Sequence, residues 1–268
     1  IFGETGTGKE MVARCLHDLS GAKQENYVAL NCGGMADNLL DSELFGHEPG
    51  AFTGAQKRRI GKIEYASGGT LFLDEVESMP MNMQIKLLRV LQERVIERLG
   101  SNQLVPVSCR VVAASKDDLK LLSDQGKFRA DLYYRLNVVR IELPPLRERR
   151  EDIPALYDQF LLQAAKRYNR PPPTLTPEHL RRLMALDWPG NIRELRNAAE
   201  CHALGIGRDA PAPGGGEPQS LTETVENYER LLIANEFTRQ QGNVARTSEA
   251  LKVARTTLHD KLKKYGLI

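Results

Sequence analysis

The sequence predicts an α/β fold over residues 1–142, followed by segments that are helical only. Up to about residue 142, short apolar runs alternate with amphipathic helical stretches, which is typical of a doubly wound parallel sheet. After Leu143-Pro144-Pro145 the strand-like runs stop, and the later periodic segments have helical spacing. We therefore expect a parallel sheet covered by helices, and then purely helical domains.

Three short apolar runs are predicted as buried parallel strands, because their side chains are apolar without polar alternation. They cover residues 28–30, 70–73 and 110–114. Between the second and third runs, residues 83–96 predict a helix that buries Ile85, Leu88, Val95 and their neighbours on one face.

A helical lid is predicted over residues 143–204. Its three helices are expected at residues 153–168, 177–186 and 191–204. Residues 205–220 are rich in glycine and proline and have almost no large apolar side chains, so they predict a flexible linker.

A small three-helix domain is predicted over residues 221–268. Its helices are expected at residues 221–238, 244–251 and 255–264. The last two are separated by a short turn, as in a helix-turn-helix.

The composition is that of an ordinary soluble globular protein. The chain has 268 residues, of which 41% are hydrophobic and 27% charged, and its formal net charge of +2 does not by itself indicate nucleic acid. No apolar run is long enough to span a bilayer and the first residues do not resemble a signal peptide, so we expect a cytoplasmic protein without membrane contact. The 4 cysteines are far apart, which argues against a zinc site and a disulfide framework.

The first chemical motif is a phosphate-binding loop. Residues 3–9, GETGTGK, fit the pattern GxxxxGK, in which backbone amides cradle phosphates and the lysine pairs with the β- and γ-phosphates. A buried strand normally precedes this loop, and only two residues precede it here, so we expect that an amino-terminal part is missing. The residues predicted to bind ATP are Gly3, Glu4, Thr5, Gly6, Thr7, Gly8, Lys9 and Glu10.

A second motif supplies two carboxylates. The apolar run at 70–73 leads directly into Asp74 and Glu75. Asp74 is predicted to hold Mg²⁺ through its water shell, and Glu75 to polarise the attacking water. Paired acids after a strand are often only a solvated strand end, but the phosphate-binding loop in the same chain favours the catalytic interpretation.

A glycine-flanked hexapeptide, GAFTGA, lies at residues 50–55, between the two nucleotide motifs. Its glycines permit a tight hairpin with positive φ, which would hold Phe52 and Thr53 out at the tip. Alone, the hexapeptide could be one more glycine-rich turn. Its place between two nucleotide motifs makes chance a poor explanation.

Together with ELFGHE at residues 43–48, this loop resembles the one by which bacterial sigma-54-dependent transcription activators, which are AAA+ ATPases, contact their RNA polymerase. The resemblance continues through FRADLYYRL at 128–136, LPPLRERREDI at 143–153 and WPGNIREL at 188–195, in the order of the family. Within the family, the chain is similar to two-component regulators of C4-dicarboxylate transport, which implies a receiver domain in the missing part. The resemblance assigns sigma-54 contact to Gly50, Ala51, Phe52, Thr53, Gly54 and Ala55.

The same resemblance implies four further site residues. Asn31 corresponds to the family's switch asparagine, which hydrogen-bonds the catalytic glutamate and holds it off the water. Arg129 and Arg135 are both candidates for the arginine that a neighbouring subunit supplies in a homo-oligomeric ring, expected to be a hexamer. Arg193 in the WPGNIREL motif is expected to reach back to the phosphates.

The carboxyl-terminal residues 243–268 are similar to a Fis-type helix-turn-helix. Leu251, Val253, Leu258 and Leu262 have the spacing of a small core, and basic residues cluster nearby. A lysine-rich solvated helix end is the alternative, but the short helix and tight turn before it favour DNA. The resemblance places six residues toward the DNA: Arg255, Thr256, Thr257, His259, Lys263 and Lys264.

These features predict an ATP-hydrolysing ring that binds enhancer DNA and remodels the closed complex of the sigma-54 RNA polymerase holoenzyme. One alternative is a DNA-binding regulator with a vestigial ATPase fold, which the intact Lys9, Asp74 and Glu75 disfavour. Another is an AAA+ remodeller of a different protein substrate, which the hexapeptide and the helix-turn-helix disfavour.

Overall fold

The computed structural model describes residues 1–21, 26–206 and 242–266, together with 229–230, 232–234, 236–237 and 239–240. The chain forms two compact units. The first comprises Ile1–Gln159 and Leu186–Ala198, and the second comprises Phe160–Ala185 and Ala199–Ile268. The predicted linker at 205–220 and the predicted helix at 221–238 lie largely outside the described residues. The predicted domain boundaries stay predictions.

The helices and strands of the described residues occur in this order: α1 (Lys9–Asp18), β1 (Tyr27–Asn31), α2 (Asp37–Phe45), β2 (Gly46–His47), β3 (Arg59–Ile60), α3 (Lys62–Tyr65), β4 (Thr70–Asp74), α4 (Met81–Glu93), β5 (Val95–Glu97), β6 (Leu104–Pro106), β7 (Arg110–Ala113), α5 (Leu119–Asp124), α6 (Ala130–Leu136), α7 (Ile153–Arg167), α8 (Pro177–Ala185), α9 (Asn191–Leu204), α10 (Val244–Ala250) and α11 (Arg255–Lys264).

A parallel sheet with the strand order β1-β4-β7 forms the centre of the first unit, and the three predicted strands are confirmed. The central strand β4 is the most deeply buried, because its apolar residues from Leu71 to Leu73 are at most 1% exposed. Burying each such side chain stabilises the fold by about 1.5–3 kcal/mol. In the register of β1 with β4, Asn31 lies opposite Asp74, so their polar side chains share the carboxyl edge of the sheet.

The α/β class is confirmed, but the predicted face of α4 is only partly right, because Leu88 is buried and Ile85 is not. The buried stripe of this helix runs through Met83, Leu87 and Leu91, whereas Ile85 is 51% exposed. The helix ends at Glu93, and Val95 belongs to strand β5. The cause is Arg94, whose left-handed φ of 58° stops the helix and turns the chain into a strand.

Two antiparallel hairpins extend from the helices of the first unit. One pairs β2 with β3 and carries the hexapeptide between its strands, and the other pairs β5 with β6. A bridge between His47 and Leu99 joins the two hairpins. The β2–β3 hairpin agrees with the tight hairpin that the glycines of the hexapeptide predict, whereas the β5–β6 hairpin is not predicted from the sequence, because its strands are only three residues long.

The second unit contains part of the predicted lid and the predicted DNA-binding helices. Helices α8, α10 and α11 confirm the predicted segments to within one residue at each end, as do α7 and α9, which run through both units. Leu258 and Leu262 of α11 are fully buried with Ile233, and Leu251 packs against them, whereas Val253 lies outside this cluster. No helix of the described part of the chain combines the length and the apolar composition that a bilayer crossing requires.

Candidate functional site

The phosphate-binding motif forms a tight loop before α1. Gly6 and Gly8 have φ values of 82° and 102°, which glycine adopts without steric cost. A Cβ atom on Gly6 would lie 2.3 Å from the carbonyl oxygen of Gly190, so no larger residue fits there. Thr7 is 2% exposed, and its hydroxyl donates to the carbonyl of Glu4 at 2.8 Å. The loop leads directly into a helix N-terminus, the arrangement that binds phosphate.

Lys9 lies at the start of α1, beside this loop. Its Nζ donates to the carbonyl oxygens of Gly3 and Glu4 at 2.6 Å and 3.1 Å. Burial lowers the pKa of Lys9, and the nearby carboxylate of Asp74 acts in the opposite direction. The structure therefore brings the lysine of the first motif to the acids of the second.

Asp74 and Glu75 follow β4 at the carboxyl edge of the sheet. Glu75 has a left-handed φ of 53°, and its amide donates to Oδ1 of Asp74 at 3.0 Å. Within the described residues, no group of three or more acidic, histidine or cysteine side chains could hold a metal. Mg²⁺ at nucleotide sites is usually held by one or two carboxylates with water and phosphate oxygens, so the half-buried Asp74 fits the predicted role.

Glu75 and Asn31 meet at Gly33. A Cβ atom on Gly33 would lie 2.2 Å from Oε2 of Glu75 and 3.3 Å from Oδ1 of Asn31. Oδ1 of Asn31 accepts a hydrogen bond from the Gly33 amide at 2.7 Å. In the part of the chain that the structure describes, no hydrogen bond joins Asn31 to Glu75. Asn31, the predicted switch residue, thus lies near the glutamate, but its oxygen accepts from the backbone and not from Glu75.

Arg193, in the first turn of α9, lies next to the phosphate loop. A Cβ atom on Gly6 would be 3.2 Å from the Cβ of Arg193, and the amide of Ile192 donates to the Gly6 carbonyl at 3.0 Å. The positive charge of Arg193 helps to lower the pKa of Lys9. The structure therefore places this sequence-predicted residue near the position that phosphates would occupy.

Glu4 in the first motif pairs with protein groups, and Glu10, which directly follows the motif, is exposed. The Glu4 carboxylate pairs with Arg147 at 2.6 Å and 2.9 Å and accepts from Nδ2 of Asn191 at 3.2 Å. These hydrogen bonds lower the pKa of Glu4 to about 2, and the bond from Arg147 has the larger effect. Glu10 is exposed in the first turn of α1, where the helix dipole favours a carboxylate. The Glu4 backbone belongs to the loop, but its side chain is held by other protein groups.

The two candidate arginines lie at either end of α6. Arg129 precedes the helix and forms a two-point pair with Asp131 at 2.7 Å and 3.0 Å. Arg135, in the last turn, donates to the carbonyl oxygen of Leu91 at 3.0 Å. Arg135 is exposed and the Arg129 side chain is 37% exposed, so both are accessible to a neighbouring subunit.

The hexapeptide forms a compact turn between β2 and β3. Gly50 and Gly54 have φ values of 84° and 102°, and the Gly50 amide donates to the Ala55 carbonyl at 2.8 Å. Phe52 is 46% exposed and Thr53 is also exposed, which confirms that both stand at the tip. The Phe52 ring meets the buried ring of His47 edge-on at 5.0 Å.

Arg98 is a residue that sequence reasoning missed. Its side chain is only 4% exposed and pairs with Glu64 at 2.7 Å and with Glu48 at 3.1 Å. It belongs to the β5–β6 hairpin, and Glu48 lies just before the hexapeptide. Arg98 therefore fixes one hairpin to the base of the other. Nothing in the sequence distinguishes Arg98 from the exposed charged residues near it, so its burial could not be predicted.

The helix-turn-helix exposes basic side chains along α11, which form its candidate DNA-binding surface. Asn243 caps α10 by accepting from the amides of Ala245 and Arg246. Lys261 does not contribute to that surface, because it pairs with Glu229, which also accepts from the Tyr265 hydroxyl at 2.7 Å. The residues predicted to face DNA are all exposed on or beside α11: Arg255, Thr256, Thr257, His259, Lys263 and Lys264.

Comparison with known families matches three segments of the chain. Residues 1–142 match the sigma-54 interaction domain, residues 147–206 the AAA+ ATPase lid domain, and residues 224–265 the bacterial regulatory proteins of the Fis family.

Among curated proteins, the chain is similar to the C4-dicarboxylate transport transcriptional regulatory protein DctD of Pseudomonas aeruginosa, with 57% identity over all of this chain and 59% of the relative. DctD of Rhizobium meliloti is 50% identical, with the same coverage. The chain thus spans about three fifths of the length of the curated relatives it matches.

Among solved structures, the chain is similar to NtrX from Brucella abortus, with a TM-score of 0.70 and 36% identity over 99% of this chain and 63% of that one. NtrX in complex with ATP matches with a TM-score of 0.68 and 35% identity, over 99% of this chain and 63% of that one.

Proposed function

The chain belongs to the family of the sigma-54 interaction domain, and from this premise we propose that it is an ATP-hydrolysing activator of sigma-54 RNA polymerase. The observation that carries the proposal is that Asp74 and Glu75 follow β4 at the carboxyl edge of the sheet, while Lys9 in the phosphate-binding loop is near enough for their charges to act on its pKa. The exposed tip of Phe52 and Thr53 in the same unit supports a second, non-nucleotide role.

ATP is the proposed substrate, and NtrX, which binds ATP, supports this assignment. The loop amides and Lys9 hold its phosphates, while Asp74 holds Mg²⁺, which neutralises phosphate charge when bound. Glu75 orients the attacking water and accepts its proton. Asn31, whose Oδ1 lies near the same point beside Gly33 as the Glu75 carboxylate, is the proposed group that keeps Glu75 inactive until the site is complete.

We propose that the site is completed by a neighbouring subunit. Arg129 or Arg135 of that subunit neutralises the charge that develops on the transferred phosphoryl group, while Arg193 acts within the chain. This arrangement requires a ring, which we take to be a hexamer.

The hexapeptide is proposed to contact sigma-54, and α11 to bind enhancer DNA. The exposure of the six predicted DNA-facing residues supports the second role. The similarity to DctD extends the proposal to a bacterial cytoplasmic two-component regulator of C4-dicarboxylate transport.

Mixing two inactive variants tests the shared site. Lys9→Ala removes phosphate binding, and Arg129→Ala together with Arg135→Ala removes the donated arginines, so each preparation alone should hydrolyse ATP at background rate. Mixed subunits should regain part of the turnover, because some interfaces recover both parts. Activity that is linear in wild-type concentration down to a strictly monomeric preparation would contradict the proposal.

DNA binding is tested on the same chain. Lys263→Ala should weaken binding to all sequences and reduce the salt dependence by about one unit of slope. Arg255→Ala should cost about 1–3 kcal/mol of discrimination between specific and random DNA. Lys261→Ala is the internal control, because Lys261 is held by Glu229 and should affect stability more than the salt slope.

A further inference from the structure

The phosphate loop is held from outside by residues that lie 142 to 187 positions further along the chain. Three successive carbonyl oxygens are engaged in this way. The Thr5 carbonyl accepts from Nδ2 of Asn191 at 3.0 Å. The Gly6 carbonyl accepts from the amide of Ile192 at 3.0 Å, and the Thr7 carbonyl from the Arg149 guanidinium at 2.9 Å.

These three bonds decide which way the loop presents its dipoles. A peptide unit whose carbonyl is bonded to a donor outside the loop cannot rotate inward without breaking that bond. A carbonyl oxygen that faced a phosphate would repel it, whereas an amide attracts it. The outer donors therefore keep the loop in the conformation that an anion needs.

Asn191 makes the largest number of these connections. It is 0% exposed and has a left-handed φ of 52°, a conformation that asparagine tolerates better than most residues. Its Oδ1 accepts from the amide of Leu146 at 2.7 Å, while its Nδ2 donates to Thr5 and to the Glu4 carboxylate. Only a side chain of this length that carries both a donor and an acceptor can bond to the phosphate loop and to the Leu146 amide at the same time.

Asn191 also begins α9, the helix that carries Arg193. The same residue thus links the phosphate loop, the segment at Leu146 and the start of the arginine-bearing helix. The Glu4–Arg147 pair ties the loop to that segment a second time.

We propose that Asn191 is a positioning residue for nucleotide binding, whose buried amide keeps the phosphate-loop carbonyls turned outward and sets Arg193 at a fixed distance from Lys9. The inference rests on the proposed ATPase function, since it assumes that the loop binds phosphate.

The test is the near-isosteric Asn191→Asp variant, with Asn102→Asp in an exposed turn as the matched control. The introduced carboxylate keeps the acceptor for Leu146 but loses both donors and faces the carboxylate of Glu4. We expect the dissociation constant for a fluorescent ATP analogue to rise on the order of tenfold or more. The affinity of the variant should recover as the pH falls, because the protonated carboxyl is a donor again. The affinities of wild type and of the control should change little in comparison.

A second variant tests the same contact through rescue. Glu4→Gln alone should weaken binding, because the pair with Arg147 is lost. In the Asn191→Asp background, however, it should partly restore binding, because the new amide can donate to the introduced carboxylate. A purely structural role for Asn191 gives no reason for the second change to reverse the first.

A readout without nucleotide separates this inference from the proposed function. Hydrogen exchange of the amides in residues 3–9 should be faster in nucleotide-free Asn191→Asp than in wild type and in Asn102→Asp. Unchanged exchange together with unchanged affinity at every pH would overturn the role of Asn191. Wild type that fails to bind ATP would instead overturn the proposed function, and the exchange experiment would still decide the inference.

Discussion

The phosphate loop and the hexapeptide loop are both glycine-rich turns of one unit, but they are held in opposite ways. Carbonyls of the phosphate loop are bonded to Asn191, Ile192 and Arg149, far along the chain. The hexapeptide is closed by its own bonds, such as the Gly50 amide to the Ala55 carbonyl at 2.8 Å. A loop that binds a ligand of fixed shape is built from many distant contacts, whereas a loop that probes a partner is anchored at its base only.

The base of the hexapeptide loop is nevertheless well fixed. The buried Arg98 pairs with Glu48 just before the loop, and Gly100 leaves room for Ala51, because a Cβ atom there would lie 2.8 Å from the Ala51 Cβ. Phe52 and Thr53 at the tip are both exposed. This contrast predicts that chemistry and partner contact can be separated by mutation.

The largest effect is expected at the nucleotide edge. Glu75→Gln keeps the size of the side chain but removes the group that accepts the proton, so single-turnover hydrolysis should fall by about 10²–10⁴-fold. ATP binding should persist, as should contact with sigma-54 in the presence of an ATP analogue. Glu97→Gln, at an exposed position of β5, is the control. Hydrolysis at the wild-type rate would remove Glu75 from the mechanism.

The next effect concerns the base of the hexapeptide loop. Arg98→Met should lower the free energy of unfolding by about 3 kcal/mol, because Glu64 and Glu48 lose a partner inside the protein. Arg58→Met is the matched control, since Arg58 is 53% exposed and its contact with Glu48 is 3.5 Å long. It should change stability by less than about 0.5 kcal/mol. Urea titrations of both variants check this, and equal effects would mean that the Arg98 pair does not anchor the loop.

The smallest effect is a pH dependence of the phosphate loop. The pKa of Glu4 is lowered from 4.5 to about 2 by the hydrogen bonds of Arg147 and Asn191. A lowered carboxyl pKa contributes stability that is present above pH 4.5 and is lost as the pH falls toward 2. The contribution is small because Glu4 is 43% exposed and its charge is screened. Glu4→Gln should flatten this part of the stability curve, and a curve parallel to that of wild type would show that the pair is weak.

The nucleotide edge could be predicted from sequence because each of its two motifs is a continuous segment whose spacing is fixed by the chemistry of phosphate. Lys9, Asp74 and Glu75 are found where the motifs imply, at the ends of elements whose periodicity is clear. The tip at Phe52 and Thr53 was predictable for a similar reason, since the flanking glycines define the turn.

What the sequence could not predict depends on distant partners or on backbone angles. Arg98 is buried only because Glu64 and Glu48 lie 34 and 50 residues before it. The role of Asn191 depends on its positive φ and on contacts with residues at the other end of the unit. The predicted end of α4 was wrong because a single left-handed residue, Arg94, ends the helix before Val95, which belongs to β5.

The separation of the two loops is tested most directly by Thr53→Ala, with hydrolysis and open-complex formation measured on one preparation. Because Thr53 is exposed and belongs to the locally closed loop, hydrolysis should stay within about twofold of wild type, while open-complex formation at a sigma-54 promoter should fall more than about tenfold. Gln56→Ala, exposed just beyond the hexapeptide, should leave both unchanged. A parallel loss of ATP binding and open-complex formation in Thr53→Ala would contradict the account.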